Sequence, residues 1–120
     1  KIKGTFGYLT NLNKIIKSFE DKNLDAYLDL LHQDYVFVRH QSGEKVSKED
    51  WTPIVTDMYK AMSEGKLTFT ENRCLYENDD VLVIHNKGSF PDGSKESIIA
   101  VHTFKDGKII KTESGATPIK

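Results

Sequence analysis

The chain is poor in the features that tie a sequence to a chemistry at first sight. Its 120 residues include one cysteine, Cys74, so an internal disulfide and a cysteine-built metal site are both excluded. Cys74 lies in an alternating run and reads as a small buried hydrophobe. Acidic and basic residues number 18 and 17, for a net charge of −1, and the basic ones stand singly among acids. No electrostatic field is therefore directed at nucleic acid or at an anionic membrane. The longest apolar runs last a few residues, far short of a bilayer span. Also missing are an internal repeat, a low-complexity tract, a Gly-rich phosphate loop, a Gly-x-Ser-x-Gly elbow, a basic-aromatic stripe and a compactly spaced pair of histidines. What remains is one domain over residues 1–120, long enough to bury its own core, with no cofactor and no metal indicated. The chain opens at Lys1 rather than methionine, which leaves a removed leader open. The lack of disulfides points to the cytoplasm.

What is present is periodicity. Leu12, Ile15, Ile16 and Phe19 recur at helical spacing behind the caps Thr10 and Asn11, predicting a first helix to about Lys22. Asn23 caps a second, carrying Leu24, Tyr27, Leu28 and Leu31 and ending near Gln33. Tyr35 to His40 reads as a strand closed by Ser42-Gly43. Ser47 followed by Asp50 starts a third helix, whose Trp51, Ile54, Val55, Met58, Tyr59 and Met62 make one wide apolar face before Gly65 stops it. That face, Ile54 included, is expected to seal the helix layer against the sheet.

After Gly65 the period changes to two. Leu67, Phe69, Glu71, Arg73 and Leu75 are expected on one face of a strand, and Thr68, Thr70, Asn72, Cys74 and Tyr76 on the other. Three further β-type runs follow, joined by Pro91-Asp92-Gly93-Ser94 and Lys105-Asp106-Gly107-Lys108, both read as hairpin turns. If Asp92-Gly93 is a two-residue loop, His85 falls opposite Ala100, and His85 and His102 share a face as diagonal neighbours. Helices segregated from a meander of strands imply an α+β fold with helices on one face of a mostly antiparallel sheet. Several strands are apolar on both sides, so the outer sheet face needs a cover, most simply a second copy of the chain.

The element order, the Asn23-Leu24-Asp25-Ala26-Tyr27 entry to the first strand, the Trp-bearing third helix and the Phe104-to-Ile109 turn together resemble the nuclear transport factor 2-like (NTF2-like) superfamily, and within it the SnoaL-like branch. The resemblance runs from about Leu9 to Ile119. It implies a cystatin-like cone in which three helices and a curved sheet enclose an apolar pocket, often in a homodimer formed through the outer sheet face. The superfamily holds isomerases, dehydratases, cyclases and non-enzymatic binding domains, so fold does not decide activity. Where ketosteroid isomerases carry a catalytic aspartate on the first strand, this chain has Arg39; their helix tyrosine falls at Ile15 and their second acid at His102. Scytalone dehydratase matches in part: its first-helix aspartate falls near Glu20 and its strand histidine at His85, while its second histidine and water-binding tyrosines find no counterpart.

The resemblance and the faces together nominate His85, Glu20 and His102 as catalytic, with His85 as base and Glu20 as its orienter. Each has a structural alternative, a hydrogen-bonded core histidine or a solvated helix-end carboxylate. Arg39 shares a face with Tyr35 and Phe37 and needs a partner, either Glu71 or an anionic group of the ligand. Phe37, Trp51, Tyr59 and Ala100 complete the expected substrate-binding wall. The expected function is small-molecule binding, with cofactor-free isomerisation, elimination or cyclisation on a small organic molecule; the alternative is a non-catalytic ligand-binding or subunit-association domain. No nucleic acid or membrane partner is expected.

Overall fold

The structure, a computed structural model, describes residues 10–120. Over this range the chain forms α1 (Asn11–Glu20), α2 (Leu24–Leu28), β1 (Leu31–Arg39), β2 (Lys45–Ser47), α3 (Lys48–Ser63), β3 (Thr68–Glu77), β4 (Val81–Ser89), β5 (Lys95–Lys105) and β6 (Lys108–Pro118). Each helix starts on a side-chain cap: Thr10 accepts from the Asn13 N–H, Asn23 from Ala26 and Ser47 from Asp50, which satisfies donors that the first helical turn leaves unpaired. The second helix stops at Leu28 rather than near Gln33, because Leu31 is already in β1, opposite Ile109. The short β2, not foreseen in the sequence, pairs with β1 through Val36 to Val38.

One six-stranded sheet runs in the order β2-β1-β6-β5-β4-β3, curved and unclosed, antiparallel except for the parallel β1–β6 pair. α3 carries the chain across the concave side from the β2 edge to the β3 edge, and α1 packs over β3 and β4. The core lies between these layers, with Leu82, Ile109, Tyr35 and Val55 almost fully buried. This is the α+β cone that the sequence predicts.

α3 buries Trp51, Val55, Tyr59 and Met62, a stripe of i, i+4, i+8 and i+11 positions. Ile54 lies at the edge of the stripe and is 37% exposed, so it does not seal the layer as expected. In β3 the alternation breaks twice, between Thr70 and Arg73 and between Cys74 and Tyr76. The first irregularity, where Glu71 adopts φ +54°, lets Phe69 and Asn72 both face the concave side. The expected face of Leu67, Phe69, Glu71, Arg73 and Leu75 therefore does not exist as one row. Cys74 is exposed rather than buried.

Candidate functional site

The Pro91 hairpin decides what reaches the concave face. Phe90 N–H donates to the Ser94 carbonyl, Gly93 N–H donates to the Phe90 carbonyl, and Gly93 has φ +87°. This is a type I turn with proline at its first central position, followed by a left-handed glycine, hence a three-residue loop. The pairing is one residue away from the two-residue expectation: His85 stands opposite Ile99, and Ile84 opposite Ala100. A one-residue shift turns every side chain to the other face. His85 accordingly points to the outer face and His102 to the concave one. The second turn behaves as expected, with Lys105 opposite Lys108 and positive φ at Asp106 and Gly107.

On the outer face the Arg73 Nε–H donates to His85 Nδ1 at 3.1 Å, and His85 Nε2 lies 2.7 Å from Ser97 Oγ. An acceptor at Nδ1 places the ring proton on Nε2, which then donates to Ser97. A serine nucleophile needs the reverse arrangement, with Nε2 accepting. The trio is therefore a structural network. Glu20 ends α1 beside a second pocket shared with Lys22, Met62 and Ser63, and no hydrogen bond or ion pair links it to His85 among the described residues. The expected His85–Glu20 dyad is not assembled.

The concave side encloses a cavity of about 280 Å³. Its walls come from the α1 residues Ile15 and Phe19, the α3 residues Trp51, Ile54, Val55, Met58 and Tyr59, and inward residues of β1, β3, β4, β5 and β6. Phe37, Arg39, Trp51, Tyr59, Ala100 and His102, all expected there, line it. Trp51 stacks on Phe37 with ring centroids 4.1 Å apart and an interplanar angle of 6°, and its indole N–H donates to the Tyr27 hydroxyl at 2.9 Å. Tyr59 bonds Ser18 at 2.7 Å. Phe19, Phe69 and Phe90 continue as an aromatic wall, with centroid separations of 5.1 and 6.4 Å.

His102 is buried, and its Nδ1 lies 2.8 Å from Thr112 Oγ1. Loss of hydration lowers its pKa from 6.5 to about 4, so the imidazole is neutral at pH 7. Its Nε2 has no protein partner among the described residues. Tyr35, which also lines the cavity, is 2% exposed; its hydroxyl lies toward Thr112 and Tyr27 without a hydrogen bond of normal geometry, and burial raises its pKa, keeping it a donor. Arg39 finds its partner in Glu44 at 3.2 Å, not in Glu71, which pairs with Lys87. The structural ion pair is thus the arrangement realised. Among the described residues no three His, Cys, Asp or Glu side chains gather as metal ligands would.

Sequence reasoning missed Asn72, Asn86 and Phe90 on the cavity wall. The signal for Asn86 was the Phe-Pro-Asp-Gly turn: proline at the first central position specifies the three-residue loop and with it the inward face of Asn86.

A family model for the SnoaL-like domain matches residues 12–112. No curated protein sequence matches the chain significantly. Among solved structures, a SnoaL-like protein of unknown function from Burkholderia thailandensis superposes with TM-score 0.68 at 17% identity, over 89% of this chain and 90% of its own. A proposed ketosteroid isomerase from Kribbella flavida gives TM-score 0.65 at 14% identity, over 89% and 75%. A proposed polyketide cyclase from Sinorhizobium meliloti gives 0.63 at 19%, over 88% and 94%.

Proposed function

The chain belongs to the SnoaL-like domain family, and from that membership we propose that it binds a small, flat, largely apolar organic molecule between α3 and the concave sheet. The observation that carries this reading is the cavity itself: about 280 Å³ walled by aromatic and aliphatic side chains, with a buried neutral imidazole at one end. That volume lies just below the usual range of ligand pockets, roughly 300–1,000 Å³. His102 Nε2 and the Tyr35 hydroxyl would meet a carbonyl or hydroxyl oxygen of the ligand. Arg39, already neutralised by Glu44 and half exposed, would stand at the rim.

Proton-transfer chemistry, as in an isomerase, dehydratase or cyclase, is the second reading. The buried imidazole favours it, and the proposed isomerase and cyclase among the structural neighbours share the fold. A pKa of about 4 makes His102 a weak base at neutral pH, and among the described residues no carboxylate is hydrogen-bonded to it. Its chemistry would be polarisation of a ligand carbonyl, with binding as the primary role. We also assign the outer sheet face to a second copy of the chain, because Tyr76, Val83, Val101 and Ile99 form adjacent apolar positions there, with Ile99 46% exposed.

Trp51 is the chain's only tryptophan and a wall residue, so its fluorescence reports occupancy. Titration with 2-acetylnaphthalene should quench it saturably, with a Kd on the order of 10–100 µM. Ala100→Phe, which fills the cavity from the sheet side, should abolish the quenching. Unsaturable quenching, or quenching that survives Ala100→Phe, would show that the cavity is not the binding site.

A further inference from the structure

Two buried polar atoms have no hydrogen-bond partner in the described structure, the Tyr35 hydroxyl and Asn86 Oδ1, and both belong to residues that line the cavity. Asn86 is not free to turn. Its Nδ2 donates to Asn72 Oδ1 at 2.9 Å, and Asn72 Nδ2 in turn donates to the Phe69 carbonyl at 3.2 Å. The relay fixes which end of the Asn86 amide is oxygen, since the Phe69 carbonyl can only accept and so orients Asn72, and through it Asn86. A buried acceptor left without a donor costs its full desolvation, and Asn86 could have been spared that cost by any apolar side chain of similar size. Glu96, which faces the same end of the cavity opposite Gly88, adds a second acceptor. Asn86 Oδ1 meets no donor among the described residues.

The position is as informative as the polarity. Leu82 pairs with His102, and Asn86 lies four residues further along β4, about 13 Å at strand rise. Between the two ends the wall is Ile84 and Ala100 on β4 and β5, with Ser114 and Arg39 continuing the row on β6 and β1. Along β4 and β5 the wall is therefore polar at both ends and apolar between them. Building on the ligand-pocket reading, we propose that Asn86, positioned by Asn72, is a second anchor, whose Oδ1 accepts a hydrogen bond from a hydroxyl or N–H group on the end of the ligand remote from His102. The ligand class is a flat apolar body with an oxygen acceptor at one end and a hydrogen-bond donor at the other.

Three probes differing only at the donor end test this by Trp51 quenching: 6-acetyl-2-naphthol, its methyl ether and 2-acetylnaphthalene. The naphthol should bind roughly five- to tenfold more tightly than 2-acetylnaphthalene. The ether, which keeps the oxygen but not the proton, should gain nothing. Asn86→Leu should bring all three to one affinity while 2-acetylnaphthalene still binds. Should that variant fail to fold, the ranking in the unaltered protein still decides. Three equal affinities there would overturn the anchor and leave the cavity reading standing, whereas no quenching by any probe would overturn both. Loss of the ranking in Glu96→Gln with its retention in Asn86→Leu would move the anchor to Glu96 and also overturn the proposal.

Discussion

His102 is buried beside Thr112, and desolvation lowers its pKa from 6.5 to about 4. Between those values the unfolded chain takes up a proton that the folded chain refuses, so stability is intact above pH 6.5 and falls as pH drops toward 4. The full shift corresponds to about 3 kcal/mol. Urea denaturation at pH 7 and at pH 4.5 should show this loss in the unaltered protein and much less of it in His102→Leu; equal losses would place the acid sensitivity elsewhere. Gly88 supplies a second residue-scale test. A Cβ there would lie 3.0 Å from the Phe90 ring and 3.2 Å from Ile98 Cδ1, so the ring folds over the strand only because the side chain is missing. Gly88→Ala should cost about 1–3 kcal/mol, and markedly less in a Phe90→Ala background, as a double-mutant cycle by denaturation would report.

Among the elements, α3 was legible because its period is unambiguous, but its sealing face was read too wide. Met62 is 4% exposed whereas Ile54 is 37% exposed and borders the cavity. Met62→Ala should therefore cost about 2–5 kcal/mol and Ile54→Ala less than about 1 kcal/mol, with Ile54→Ala acting instead on ligand affinity; similar losses of stability would contradict the assigned face. The caps at Thr10, Asn23 and Ser47 and the Lys105–Lys108 turn were also readable, because each depends on a few neighbouring residues. The His85 face was not. It hangs on whether the preceding hairpin counts two or three loop residues, and Asp92-Gly93 suits both counts; Pro91 alone distinguishes them. One residue of loop thus separated a histidine–carboxylate dyad that does not form from an asparagine relay that does. The partner of Arg39 was missed for a related reason. Glu44 reaches it only through the three-residue β2, too short for alternation to reveal.

At the scale of the molecule, helices cover one side of the sheet and leave the other open, where Val83, Val101 and Glu113 lie in one row with Tyr76 at its end. Two copies joined over this face should bury roughly 1,500 Å² in total, an ordinary stable contact. Sedimentation at micromolar concentration should show a dimer, and Val101→Asp should shift it to monomer while the cavity still quenches Trp51; a monomer without any substitution would refute the assignment. No helix among the described residues is long and apolar enough to cross a membrane. The strand order has a consequence for how the protein comes into being. β6 is the last of the described strands to be synthesised, yet it lies inside the sheet between β1 and β5. A nascent chain that has made everything before Lys108 holds two sheet fragments, β2-β1 and β3-β4-β5, whose facing edges are unpaired and can capture other strands. The cavity has no floor until the final strand inserts and joins residues as distant in the chain as Phe37 and Thr112. Premature termination would thus yield a sticky, chamberless polypeptide rather than a smaller version of the same protein.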